Sequence, residues 1–333
     1  MKVSRAEFQT KLNLLRPGLA DKEIISQSAS FAFHANRIYT YNDMVAVSVP
    51  FESDLEGAVP GESLIQLLDK MTQESITVNM TDDQFTVQAQ NVSAGLRIEK
   101  EISLPVDELE IPTEWKKLPA DFTTALRFCM FSTSSDTSKP VLTCIHIENN
   151  YVESCDNYRA TRYFVPEKGM ANLLIPQSSA TALLKYKLQK YGVTEGWVHF
   201  EAEGVVFSCR TYAEEYPDVG RLFAVKGKKL SLPEGIGTAL ERASIFTSMR
   251  KAVDETATLS MGDGVLVIIG MGDGGWYKEK LKVDYHEEPI KFCVNPHFLK
   301  EAIPLTREIT LGTGALVLAG DCFKHVVSLS VTE

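Results

Sequence analysis

The sequence is short of the features that mark a membrane protein, a secreted scaffold or an enzyme. Its 333 residues contain no run of about 18 apolar residues and no basic start leading into an apolar stretch, so neither a membrane span nor a secretory signal is expected, and the reading is cytosolic. The six cysteines, Cys129, Cys144, Cys155, Cys209, Cys293 and Cys322, stand far apart with no C-x-x-C pair, which argues against a zinc site and a disulfide framework. His34, His146, His199, His286, His297 and His325 are scattered, none in H-x-x-x-H spacing; Cys144-x-His146 would share one face of a strand but has no further ligands at a recognisable spacing. There is no G-x-S-x-G elbow and no Walker loop, and the carboxylate pairs Glu214-Glu215 and Glu287-Glu288 read as solvated. No catalytic residue, metal or cofactor is assigned. Cations are outnumbered, 34 Lys and Arg against 44 Asp and Glu for a net charge of −10, so phosphate binding requires basic residues gathered on one surface.

What the chain does contain is repetition. Ala6-Glu7-Phe8-Gln9-Thr10-Lys11-Leu12 returns as Ala120-Asp121-Phe122-Thr123-Thr124-Ala125-Leu126 and, more faintly, as Glu234-Gly235-Ile236-Gly237-Thr238-Ala239-Leu240, at a constant offset of 114 residues. A second marker keeps nearly the same period: Pro60, Pro176 and Pro296 each open a short apolar helical pattern, a position where the missing N–H costs nothing. Each unit is expected to carry two helices. Between them lie runs of period-two alternation such as Thr77-Val78-Asn79-Met80, bounded by turn residues. Helices with antiparallel hairpins in every unit predict an α+β class in three domains, 1–112, 113–229 and 230–333, joined by linkers around 104–118 and from Tyr216 to Pro233.

Along the chain the spacing predicts helices near Phe8–Leu15, Phe122–Phe131, Pro176–Tyr191 and Ile236–Phe246, with short ones after Pro60 and Pro296. Strands are expected at, among others, 31–41, 45–49, 141–148, 162–165, 265–270, 277–285 and 326–331. Gly270-Met271-Gly272-Asp273-Gly274-Gly275 matches G-x-G-x-x-G after an apolar strand, but Trp276 to Val283 alternates like a strand, so a hairpin turn is expected in place of a nucleotide loop. On the six helices the apolar stripes leave cations outward or at their flanks: Lys11, Lys70, Arg127, Lys185, Lys190, Arg242 and Lys300. One such helix is an ordinary solvated face; six repeating it make a DNA-binding surface a candidate.

Several motifs resemble those of one family, the bacterial sliding clamp, the beta subunit of DNA polymerase III. Leu142-Thr143-Cys144-Ile145-His146-Ile147-Glu148 is similar to its L-N-G-x-L-x-E strand, and Cys155-Asp156-Asn157-Tyr158-Arg159-Ala160 stands where the family has T-D-G-H-R-L. Leu174-Ile175-Pro176, Tyr216-Pro217-Asp218, Glu241-Arg242-Ala243-Ser244-Ile245 and the run Val294 to Ile303 resemble, in family order, I-V-P-R-K, F-P-D-Y, x-R-A-A-I and F-N-P-x-Y-L-x-D-A-L. Asn157 and Tyr158 depart from the family's Gly and His, and Val326-Val327-Ser328-Leu329-Ser330-Val331-Thr332-Glu333 departs from its V-V-M-P-M-R-L tail, as in a divergent, phage-encoded member.

The resemblance implies a non-catalytic processivity factor: two chains head to tail in a ring of six domains, helices lining a hole that encircles duplex DNA, with a DNA polymerase and a clamp loader as partners. It also implies a peptide pocket, carried over onto Leu142, Cys155, Asn157, Tyr158, Arg159, Ala160, Pro217, Arg221, Leu222, Asn295, Phe298, Val326, Val327, Ser328 and Leu329, with Leu142, Leu222 and Phe298 as an apolar cleft beside Arg159 and Arg221. Two other readings stay open here, a nucleotide-dependent enzyme using Gly270–Gly275 and a phage structural protein of repeated α+β domains.

Overall fold

The computed structural model describes residues 1–105, 109–247 and 254–330; part of the first expected linker, and Val331 to Glu333 of the expected tail, lie outside them. Among the described residues, one order of elements runs three times: a strand, a helix, four strands, a helix, three strands. The helices are α1 (Arg5–Leu15), α2 (Gly61–Lys70), α3 (Phe122–Met130), α4 (Gln177–Leu183), α5 (Ile236–Ser244) and α6 (Pro296–Ala302). The sheets are antiparallel, which gives the α+β class the sequence predicts.

Local chemistry sets the helix ends. The Ser4 hydroxyl accepts the Glu7 N–H at 3.4 Å at the start of α1, and Phe8, Leu12 and Leu15 are buried at helical spacing. Asn295 caps α6 by accepting from the N–H groups of His297 and Phe298, with Pro296 at the first helical position. Pro60 and Pro176 instead sit one residue before α2 and α4, at the cap. The helix expected over 176–191 ends at Leu183. Tyr186 turns inward, its ring tilted against Phe207 at 5.3 Å between centres and its hydroxyl donating to the Leu14 carbonyl, and the chain is extended again from Lys190 to Thr194. The strand expected from 141 starts only at Cys144, after a 3-10 turn over Pro140–Thr143.

The chain divides into two compact units, Met1–Thr123 with Ile175–Ala213, and Thr124–Leu174 with Glu214–Glu333, so the middle repeat contributes to both. The first unit holds a four-stranded sheet in the order 2–4, 75–80, 84–89, 92–97. Its second sheet runs 57–60, 30–34, 37–41, 45–50, 205–210, 197–202, 190–194, 116–117. The seam of that sheet joins Val45–Pro50 to Val205–Arg210, with Phe207 opposite Val47 and Cys209 opposite Val45. Phe8, Phe31, Phe33 and Phe85 are fully buried beneath these strands, Phe33 stacking on Phe85 at 5.5 Å; each such ring contributes about 1.5–3 kcal/mol by burial.

In the second unit the seam joins Arg159–Phe164 to Phe323–Ser330, Ala160 facing Val326 and Tyr163 facing Phe323. From Phe323–Ser330 the sheet continues through 290–294, 257–262 and 265–272 to an edge at Gly275–Lys282. Both seams obey one rule: the third strand of a four-strand set meets the last strand of a three-strand set. Among the described residues, two strands of these kinds are left at edges, Gly275–Lys282 and Val92–Arg97.

The glycine-rich segment is the turn of a hairpin, as expected, with Gly272 opposite Gly275. Its glycines have a packing reason. A Cβ on Gly270 would stand 2.4 Å from the Ala243 carbonyl oxygen and one on Gly272 2.4 Å from that of Phe246, so the absent side chains let the C-terminal end of α5 lie directly on the strand. Among the described residues the turn leads into strand Gly275–Lys282 and no helix opens there, the element a dinucleotide loop requires.

Candidate functional site

The seven cations singled out from the sequence have unequal surroundings. Lys11 donates to the Pro50 carbonyl at 2.9 Å and shares an open groove of the first unit with Lys185 and Lys187, a third lysine that sequence reasoning passed over. Lys70, in the last turn of α2, and Arg127, on α3, are exposed. Lys185 stands on the turn after α4, and Lys190 belongs to a strand, opposite Glu201 and 3.9 Å from its carboxylate; both expectations of a helical position are corrected by the early end of α4. Arg242 is held by Glu279 and Tyr277, and this engagement raises its pKa further. Lys300 pairs with Glu241 at 2.8 Å.

The residues expected to form a peptide pocket fall within the second unit, and among them is a turn built by Asp156. That carboxylate accepts the N–H groups of Tyr158 at 2.7 Å and Arg159 at 2.8 Å, and its other oxygen accepts from Arg159 Nε at 3.1 Å. Arg159 is thereby laid across Phe298 of α6, 4.2 Å from guanidinium carbon to ring centre, and reaches on to Glu301. Tyr158 approaches the same ring at 6.1 Å, and its carbonyl accepts from Ser328 at 2.8 Å. Tyr158, Asn295, Phe298 and Ser328, with Asp254 and Ser330, enclose a cavity of about 190 Å³. Asp254 and Ser330 carry no signal in the sequence.

Other residues expected here have structural places. Ala160, Val326 and Val327 are buried in the seam, and Leu329 is half-buried beside Val294. Asn157 accepts from Lys139 at 3.2 Å. Leu142 is half-buried on the 3-10 turn, its carbonyl bound to the Ser134 N–H, and does not line the cavity. Phe298 is only 6% exposed, so its ring is covered by Arg159 where an open apolar anchor was expected.

Pro217, Arg221 and Leu222 lie on an exposed loop, Arg221 3.6 Å from Asp218 and Leu222 half exposed. A buried cluster supports this loop from below. Glu153, 2% exposed, binds Arg162 through Nε at 2.7 Å and accepts at its other oxygen from His146 at 2.8 Å. The His146 ring stacks on Tyr216 at 4.7 Å, and the Arg162 guanidinium faces Phe223 at 5.3 Å, so both ends of the loop rest on this network. The Tyr216 hydroxyl donates to Cys155 Sγ at 3.3 Å. Burial pushes the Cys155 thiol and the Tyr216 hydroxyl up, which favours the protonated form of both. Among the described residues, no three His, Cys, Asp or Glu side chains are placed to hold a metal, and no helix is long and apolar enough to cross a membrane.

By sequence the chain matches no protein-family model and no curated protein. By structure it is similar to the DnaN sliding clamp (DNA polymerase III subunit beta) of Bartonella birtlesii, solved bound to griselimycin, with a TM-score of 0.89 at 15% identity over 100% of this chain and 99% of that one. The Bacillus subtilis DNA polymerase sliding clamp aligns with a TM-score of 0.85 at 16% identity, and the Thermotoga maritima DNA polymerase III beta subunit with 0.84 at 14%, each over 100% of this chain and 99% of the other. The chain has the sliding-clamp fold.

Proposed function

We propose that this protein is a processivity factor: two chains, head to tail, encircle duplex DNA and tether a replicative polymerase without catalysing a step themselves. The observation that carries the assembly is the pairing rule of the two seams, which leaves one strand of each kind, Gly275–Lys282 and Val92–Arg97, at an edge. Unpaired edges are normally covered, and pairing these two between chains repeats the rule a third time. In this reading the repeats 1–112, 113–229 and 230–333 are the domains, and the protein works in the cytoplasm with a clamp loader.

Enclosure reconciles the charge with the task. Each chain carries −10, so retention by phosphate attraction over the whole surface is unfavourable. Lys11, Lys70, Arg127, Lys185 and Lys187 supply local attraction to the duplex, with Arg242 and Lys300 weakened by their carboxylate partners. The cavity between Tyr158 and Phe298, with Asn295 and Ser328, is where a linear peptide of the polymerase docks, and tethering raises the polymerase's effective concentration at the template.

The test is retention on DNA of different topology. Protein loaded onto closed circular DNA is expected to stay bound at a salt concentration that abolishes ordinary phosphate contacts and to leave when the circle is cut. Equal loss from circular and linear DNA excludes enclosure, and a monomer by sedimentation at all concentrations excludes the head-to-tail pair.

A further inference from the structure

The hairpin that carries the glycine-rich turn has two unlike faces. On strand Gly275–Lys282 the side chains of Tyr277 and Glu279 receive Arg242 from α5 and so define the helix side. The alternate residues, Trp276, Lys278, Lys280 and Lys282, point the other way and are all exposed. Opposite them in register on the neighbouring strand stand Met271, Ile269, Val267 and Val265. Met271 is 70% and Trp276 67% exposed, two large apolar side chains together at one end of the row. Among the described residues, none of the three lysines has a carboxylate within ion-pair distance, whereas the helix-side cations of the same repeat, Arg242 and Lys300, are both neutralised. The hairpin's own acids, Asp273 and Glu279, occupy the turn and the helix side.

We infer that this outer sheet face is a binding site for single-stranded nucleic acid, a role beyond encircling the duplex. Alternate residues of a strand recur every ~6.7 Å, close to the step between successive phosphates of an extended single strand. Three uncompensated ammonium groups in such a line therefore meet three consecutive phosphates. Trp276, with Met271 beside it, offers a base a flat apolar surface for stacking, and the strip Ile269, Val267 and Val265 gives the following bases an apolar floor. A charged track with an aromatic platform is how sequence-independent single-strand binding is built. A duplex cannot use the platform because its bases are already stacked. Pairing of the edge in a dimer would consume backbone N–H and C=O groups along this strand and leave these side chains outward.

The experiment titrates the full-length protein into a fluorescent thymidine 30-mer, reading anisotropy between 50 and 200 mM salt, with a blunt duplex, a poly-glutamate peptide and anionic vesicles as parallel probes. Lys278→Gln/Lys280→Gln/Lys282→Gln is expected to weaken 30-mer binding at least tenfold at the lowest salt and to reduce the magnitude of the salt slope by about 2, as expected for three lost single-strand phosphate contacts. Trp276→Ala is expected to weaken binding with the salt slope unchanged, and Trp276→Phe to restore it. Lys22→Gln/Lys168→Gln, at exposed lysines away from this face, should leave 30-mer binding intact. Circular dichroism and sedimentation matched to the parent protein establish that each variant is folded. An unchanged affinity in the triple variant overturns the proposal, as does a duplex, peptide or vesicle that binds as well as the 30-mer with the same lysine dependence.

Discussion

Arg242 Nη2 lies 2.7 Å from both carboxylate oxygens of Glu279, joining α5 to the edge strand of its own repeat. A cation that sequence periodicity assigns to phosphate binding is thus committed to an intramolecular partner. Glu279→Gln should release it. The expected outcome is tighter binding to linear duplex at low salt, with a salt slope steeper by about 0.9, and no change in apparent mass. A variant whose slope equals that of the parent shows that Arg242 does not face DNA.

Two buried imidazoles make the fold sensitive to mild acid. Burial pushes His199 down to about 4 and His325 down to about 3, and among the described residues His325 Nε2 has no hydrogen-bond partner. Below about pH 6.5 the unfolded chain takes up a proton at each position while the folded chain does not, so stability is complete above that pH and falls as pH falls, by about 1.4 kcal/mol per unit for each histidine. Urea unfolding at pH 7.5 and 5.5 should show this loss, and His325→Gln should remove its share of the slope. Equal midpoints at the two pH values would contradict it.

The Glu153–Arg162 pair lies beneath the loop that carries Pro217, Arg221 and Leu222. Arg162→Ala leaves a buried carboxylate without its cation, and a destabilisation of about 3–5 kcal/mol is expected. Glu153→Gln keeps the shape and should cost less. Denaturant midpoints measure both, and an Arg162→Ala value within about 0.5 kcal/mol of the parent, the range of ordinary surface changes, would mean that the loop stands without this support.

Phe298 and Tyr158 border the same cavity but differ in burial, so their truncations should separate. Phe298→Ala empties a core position and is expected to lower stability by about 3–5 kcal/mol. Tyr158→Ala removes a half-buried ring from the mouth and should weaken polymerase-peptide binding by about 1–3 kcal/mol with little change in the unfolding midpoint. Calorimetric titration with unfolding curves on the same variants decides; unchanged peptide affinity in Tyr158→Ala puts the docking site elsewhere.

The threefold order of elements was legible because helix starts repeat as local patterns: a cap, then Phe8, Leu12 and Leu15 at helical spacing. The end of α4 was not, since Leu184 and Leu188 prolong the period while the interruption comes from Tyr186 reaching Leu14, 172 residues away in sequence. For the same reason the ion pairs of Arg242 and Lys300, each closed by a residue remote in the chain, turn two readable cations into engaged ones. Tyr158, Asn295, Phe298 and Ser328, named from the sequence as pocket residues, border one cavity. Asp254 and Ser330 reach the cavity through tertiary packing alone.

The seam between Val45–Pro50 and Val205–Arg210 also has a consequence in time. The earlier strand leaves the ribosome about 155 residues before its partner exists, and at a synthesis rate of about 5–20 residues per second its edge waits roughly 8–30 seconds unpaired. The same delay recurs between Arg159–Phe164 and Phe323–Ser330. Nascent chains of this protein therefore pass through two long intervals with an open strand edge, and their yield depends on what shields those edges during translation.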